Sequence, residues 1–206
     1  MTSGYQAVLD ACVLVNAALR DTLLRLAEPP HLFLPRWSSN IMEETTRTME
    51  LKLGYTREQT QHLEEELRKH FEDAWVEGYE PLIPAMTNHP KDWHVVAAAV
   101  KTGAQTIVTF NLKDFRKEAL APWDIQAQTP DAFLIDQYHL DPTVVVAKLE
   151  EQCSKIHNGD LSQLLSIHDK TVPDFVAIVR KHLAARAVET VTEDQQISLL
   201  RGSDPQ

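Results

Sequence analysis

The chain of 206 residues contains only two cysteines, Cys12 and Cys153. They lie far apart in apolar helical or strand-like surroundings, which argues against a bridge and fits small, buried, reduced thiols. Long hydrophobic runs are also missing. No uninterrupted apolar stretch reaches membrane-spanning length, and the opening MTSGYQAVLD lacks the basic and apolar regions of a secretory leader. The expectation is a soluble, cytoplasmic protein with no membrane partner. Positive charge is in short supply too: a formal net charge of -10 argues against nucleic-acid binding by a general basic surface, because phosphate neutralisation takes Lys and Arg. The same balance suits clustered acids that hold metal ions, and it suits a basic protein partner. No internal repeat or low-complexity tract is visible, and the length is enough to bury a real core.

What is present is an alternation of short β-favouring runs and helical periods. QAVLDACVLV is strand-like up to Asp10, and the leucines of LVNAALRDTLLRLAE recur at helical spacing. HLFLP reads as a second short strand closed by Pro35. WSSNIMEETTRTMELKLG reads as a helix capped near Ser38 and ended by Gly54. Thr56 and Gln59 have capping-box spacing at the head of REQTQHLEEELRKHFEDAW. YEPLI is a further strand candidate, PKDWHVVAAAVKTG an alanine-rich helix, AQTIVTF a strand, and WDIQAQ a weaker, peripheral one. Strands alternating with helices imply an α/β domain with a central parallel sheet covered on both faces. From TPDAFL onward only helices are expected, with Asp141 and Pro142 opening one of them. The chain therefore divides into an α/β domain over 1–135, a helical extension over 136–190 and a polar, flexible tail over 191–206.

In an open parallel sheet, ligands bind outside the carboxyl ends of the strands. Asp10 ends the first strand and Asn111 ends TIVTF, so both belong at that edge. Asp92 opens a short helix that runs antiparallel to the next strand, which brings it to the same edge. Carboxylates held together repel one another unless a cation neutralises them, and hard oxygen ligands with little His favour Mg²⁺ or Mn²⁺ over zinc. Each residue has a plainer reading as well: Asp92 as a helix cap, Asp114 as a turn residue, Glu43 and Glu44 as a solvated face. Asp10 is the hardest to dismiss, since an acid inside AVLDACVLV is costly to bury alone. His94, two residues from Asp92 on a helix, points elsewhere and takes a structural or substrate-side role. A phosphatase using Asp10 as nucleophile would need a second acid where Cys12 stands.

Taken in order, VLDACVLV, WSSNIMEETTR, KDWHVVAAAVKTGAQTIVTFNLKDF and TPDAFL resemble PIN-domain proteins, especially VapC-like ribonuclease toxins of bacterial toxin–antitoxin systems. The likeness covers about the first 135 residues, and the helical remainder is similar in patterning to the extension of one VapC-like branch. What the resemblance implies is a Mg²⁺- or Mn²⁺-dependent endoribonuclease, with a three-layer PIN-like fold, an RNA substrate and a basic antitoxin that neutralises it. A homodimer is left open.

Asp10, Glu44 and Asp92 match the family's first three acids, with Glu43 the alternative to Glu44. The fourth position falls on Asn111, while the acid of that hook is Asp114. The expected ligands are Asp10 and Asp92 for a first cation and, if the segment turns helically after Leu112 so that it points back at the same edge, Asp114 for a weaker second one. Lys113 and Arg116 are candidates for phosphate contacts. The rival reading is a PIN-like interaction module with a degenerate metal site.

Overall fold

The computed structural model describes residues 4–156 and 159–186. The expected tail over 191–206, and the last residues of the expected extension, lie outside them.

Gln6–Leu9 (β1), Leu34–Ser38 (β2), Trp75–Val76 (β3), Thr106–Val108 (β4) and Gln126–Gln128 (β5) form one sheet in the order β3-β2-β1-β4-β5, every pair parallel. Parallel pairing requires a crossover between strands, and the helices supply it. They are Ala11–Leu14 (α1), Ala17–Ala27 (α2), Ser39–Leu53 (α3), Arg57–His70 (α4), Trp93–Thr102 (α5) and Lys117–Leu120 (α6). Pro130–Leu140 (α7), Pro142–Ile156 (α8), Leu161–His168 (α9) and a helix over 173–186 (α10) complete the described chain. The strand order reverses between β1 and β4, where the connections leave in opposite directions and open a crevice.

Local signals place most of these elements. Ser38 caps α3 by accepting the Ile41 N–H at 3.3 Å, and Gly54 ends it at φ 73°, a left-handed conformation that favours glycine. Thr56 and Gln59 make the full capping box of α4. Asp141 accepts the Val144 N–H at 3.0 Å at the head of α8.

Several expectations need correction. YEPLI is not a strand: Glu80–Ala85 is a 3₁₀ turn, because Pro81 and Pro84 have no N–H to give a ladder. The strand on that side is Trp75–Val76, which stops α4 at His70. HLFLP is displaced to Leu34–Ser38, with Pro35 inside the strand rather than closing it. There Pro35 faces β1 alone, since β3 pairs only with Trp37 and Ser38, so no ladder bond is lost on the outer side. Helix α9 was not anticipated.

One buried cluster runs through the molecule. It includes Val8, Leu9 and Ile107 of the sheet, Val95 to Ala99 of α5, and Val145, Leu149, Leu165, Phe175 and Val179 of the C-terminal helices. The alanines of α5 let that helix lie close against β1, β2 and β4. Its N-terminal end is thereby held at the carboxyl edge of the sheet.

Candidate active site

Asp10 follows β1 directly and stands at the N-cap of α1, but its side chain makes no capping bond. It is only 3% exposed. Its N–H donates to the Val108 carbonyl at 3.1 Å, tying the end of β1 to β4. Its Oδ2 accepts the Thr109 hydroxyl at 2.6 Å and the Cys12 thiol at 3.1 Å. Burial first, and then the Asp10 charge, push the Cys12 thiol up to about 12, so it stays protonated and can donate. One carboxylate oxygen is therefore fixed by two donors, and the other has none among the described residues.

Glu44 arrives from α3. Burial, then the fields of Asp10 and Glu43, raise its carboxyl above the usual range, against the pull of Arg47. Glu43 is exposed and does not line the cleft. Asp92 closes the 3₁₀ turn Pro90–Asp92 and precedes α5, again without a capping bond. Its side chain is 16% exposed and 3.7 Å from the His89 Nδ1. Burial, followed by Asp10, Asp114 and Glu44, pushes its carboxyl up to about 6, opposed by His89. The three acids thus converge closely enough to feel one another.

They line a cleft of about 410 Å³ at the strand-order reversal, together with Cys12, Asn111 and the cations Arg47, Lys52 and Lys91. Asn111 is exposed there and donates its N–H to the Thr109 hydroxyl at 3.0 Å. Asp114 lines a neighbouring cavity instead. The turn after Asn111 carries it toward residues 87–89, where its carbonyl accepts the His89 N–H at 3.2 Å. His94 Nε2 lies 3.8 Å from Glu44 Oε1 and makes no hydrogen bond. Burial lowers the His94 pKa, so it is neutral near pH 7.

Arg47, Lys52, Lys91 and Thr109 carry no site role in the sequence reading, and Cys12 enters it only as a small, buried thiol. A signal existed for two of them: Arg47 and Lys52 fall three and eight residues after Glu44, on the same face of a helix. Thr109 carried none, because a threonine in TIVTF reads as strand propensity.

Among the described residues no group of three His, Cys, Asp or Glu is close enough to hold an ion unaided. The donor set still fits a hard divalent cation. Mg²⁺ takes one or two carboxylates and fills its remaining positions with water and substrate phosphate, and the raised Asp92 carboxyl marks charge awaiting neutralisation.

The crevice at the reversal of a five-stranded parallel sheet and the three acids in it define an α/β protein with an acidic site at the carboxyl edge of its sheet, and comparison gives the family. Residues 6–113 match the PIN domain, and the chain belongs to that family. It is similar, at 55% identity over 110 residues, to the Mycobacterium tuberculosis protein named "Putative ribonuclease VapC50". That alignment covers 52% of this chain and 65% of the relative, just under two thirds of its length. No solved structure matches the chain.

Proposed function

We propose that the chain is a divalent-cation-dependent endoribonuclease, a VapC-like toxin that hydrolyses RNA phosphodiester bonds in the cytoplasm and is neutralised by an antitoxin. The observation that carries this reading is the single cleft in which Asp10, Glu44 and Asp92 meet Arg47, Lys52 and Lys91. Acids alone would repel RNA, and cations alone would bind without chemistry. Support also comes from the PIN-domain match and from the name of the relative, and no described helix is long and apolar enough to cross a membrane.

Asp10 and Asp92 would hold Mg²⁺ or Mn²⁺, which when bound supplies neutralising charge and Lewis-acid stabilisation at the scissile phosphate. Thr109 and Cys12 keep Asp10 in one orientation. Glu44, its pKa raised by burial, orients the attacking water and takes its proton as oxygen adds to phosphorus and the P–O bond to the leaving nucleotide breaks. Arg47, Lys52 and Lys91 position the phosphates of an unpaired strand. A basic antitoxin segment fits the same acids, with an arginine in place of the cation.

The test is incubation of the purified chain with RNA in Mg²⁺ or Mn²⁺ and in EDTA. Cleavage should require the cation and fall by at least about a hundredfold in Asp10→Asn and Glu44→Gln, the scale of a lost acid–base group. Full activity in both variants overturns the site. One observation favours the alternative of an interaction module: the fourth position is the amide Asn111. A calorimetric titration with Mn²⁺ separates the two, since a degenerate site takes up no cation.

A further inference from the structure

Beside the acid cleft lies a second, smaller cavity of about 250 Å³, lined by Thr87, Asn88, His89, Lys113, Asp114 and Arg116. Two loops contribute to both cavities. The segment from Thr87 to Asp92 gives Asn88 and His89 to one and Lys91 and Asp92 to the other; the segment from Asn111 to Arg116 gives Asn111 to the cleft and Lys113, Asp114 and Arg116 to the cavity. The 3.7 Å approach of His89 to Asp92 joins them.

The groups in the cavity are poorly used by the fold. Lys113 and Arg116 are exposed and form no ion pair or side-chain hydrogen bond among the described residues, although the chain carries a net charge of -10. Asn88 is 8% exposed, and its Oδ1 is buried with no hydrogen-bond partner. The Nδ2 of the same amide donates to the His89 carbonyl at 3.3 Å, which fixes the orientation and leaves the acceptor unpaired. A buried acceptor without a donor costs free energy unless something supplies one. The Asp114 carboxylate is a second acceptor in the cavity without a donor among the described residues. Two cations seek an anion and two acceptors seek a hydroxyl or amine. A ribose phosphate supplies both. The volume is below the roughly 300 to 1,000 Å³ of pockets that enclose a drug-sized ligand, which suits a backbone segment lying across it.

We infer that this cavity is a ribose-phosphate subsite for the nucleotide next to the scissile bond: Lys113 and Arg116 hold its phosphate, and Asn88 Oδ1 and Asp114 accept from its 2′-hydroxyl. The inference rests on the ribonuclease reading of the adjacent cleft and gives that site a preference for RNA over DNA, since a deoxyribose leaves both acceptors unpaired.

Binding, rather than cleavage, tests it. The full chain carrying Asp10→Asn is titrated in EDTA with a fluorescent single-stranded RNA and with DNA of the same sequence, at several salt concentrations. The added pair Lys113→Ala and Arg116→Ala should weaken RNA binding at least about tenfold, as expected for hydrogen bonds to charged groups. It should also make the log–log salt slope shallower by about 1.4, two contacts at roughly 0.7 each. Lys181→Ala, an exposed lysine on α10, should change neither. RNA should bind more tightly than DNA, and Asn88→Leu should narrow that gap, with circular dichroism reporting its fold. Unchanged affinity and slope in the double variant, equal binding of RNA and DNA, or no RNA binding at all each overturn the subsite. Cleavage of RNA by the wild-type chain with no effect of Lys113 and Arg116 on binding sinks the subsite alone. Binding that depends on them in a chain that never cleaves sinks the nuclease reading alone.

Discussion

Asp92 is the residue at which function and stability pull apart most visibly. Its carboxyl is pushed up to about 6 from the 3.8 of an ordinary aspartate, so the folded protein holds this proton more tightly than the unfolded chain. Stability therefore falls as pH rises between those values, because the unfolded state binds fewer protons there. Below about 4 the penalty is absent, and above about 6 it is fully present. At about 1.4 kcal/mol per unit, discounted for contact with solvent, it is on the order of 2 kcal/mol. Asp92→Asn should consequently raise the melting temperature of the cation-free protein by about 4 to 8 °C at pH 7.5, with a gain that vanishes near pH 4. Melts in EDTA at the two pH values measure it. The same variant should lose RNA cleavage. A residue that destabilises the fold while it is needed for activity is the usual mark of a site rather than of a cap. The bonding supports this, for neither Asp10 nor Asp92 caps the helix it precedes.

At the scale of elements, the contact between α2 and the C-terminal helices has a polar centre. Thr22, Gln152 and His168 are each 1% exposed or less. The Thr22 hydroxyl lies 2.6 Å from Gln152 Oε1 and 2.8 Å from His168 Nε2, and Gln152 Nε2 donates to the Ala18 carbonyl at 3.0 Å. A hydroxyl has one proton to give, so with Gln152 Oε1 as its acceptor the His168 Nε2–H becomes the donor to Thr22, which sets the tautomer. Around this centre Lys148 bridges Glu28 and Glu151 at 3.2 Å each, and Arg25 reaches Glu151 at 2.9 Å. These outer pairs are partly exposed and are each worth about 1 kcal/mol or less. The inner node matters more. Thr22→Val keeps the volume but takes the donor from the buried Gln152 Oε1, and should cost about 1 to 3 kcal/mol, read as a fall in denaturant midpoint without a change in slope. Arg25→Ala should cost less.

For the whole molecule, the family match and the buried core have different extents. The match ends at residue 113, whereas the buried cluster continues through Val145, Leu149, Phe175, Val176 and Val179. Each large apolar side chain so buried contributes about 1.5 to 3 kcal/mol, against a total stability of about 5 to 15 kcal/mol. A chain ended at Leu140 should therefore lose cooperative thermal unfolding and bind a hydrophobic dye. A sharp melt near that of the full chain would show instead that the α/β part stands alone.

Periodicity and punctuation decide much of this protein locally, and those parts are legible in the sequence. The alternation of strand and helix, the caps at Ser38, Thr56 and Asp141, and the left-handed residues Gly54 and Gly103 that end α3 and α5 depend on residues a few positions apart. The placement of Asp10 at the carboxyl edge follows from the same logic, since a residue that directly follows a parallel strand has nowhere else to be; Asn111 does not end its strand as expected, because β4 stops at Val108, and it reaches the cleft three residues further on. What only the tertiary structure decided involves long-range neighbours. Trp75–Val76 pairs because β2 offers it an edge, not because two residues specify a strand. Thr109 serves Asp10 across 99 positions of sequence. Arg47, Lys52 and Lys91 become parts of one cleft only when α3 and α5 meet at the sheet edge. Asn111 and Asp114, three positions apart in the sequence, part into separate cavities, and the Asp114 carbonyl is tied to the His89 N–H. Local chemistry fixes which way a chain turns; which charges then face one another depends on the packing of elements that the sequence keeps far apart.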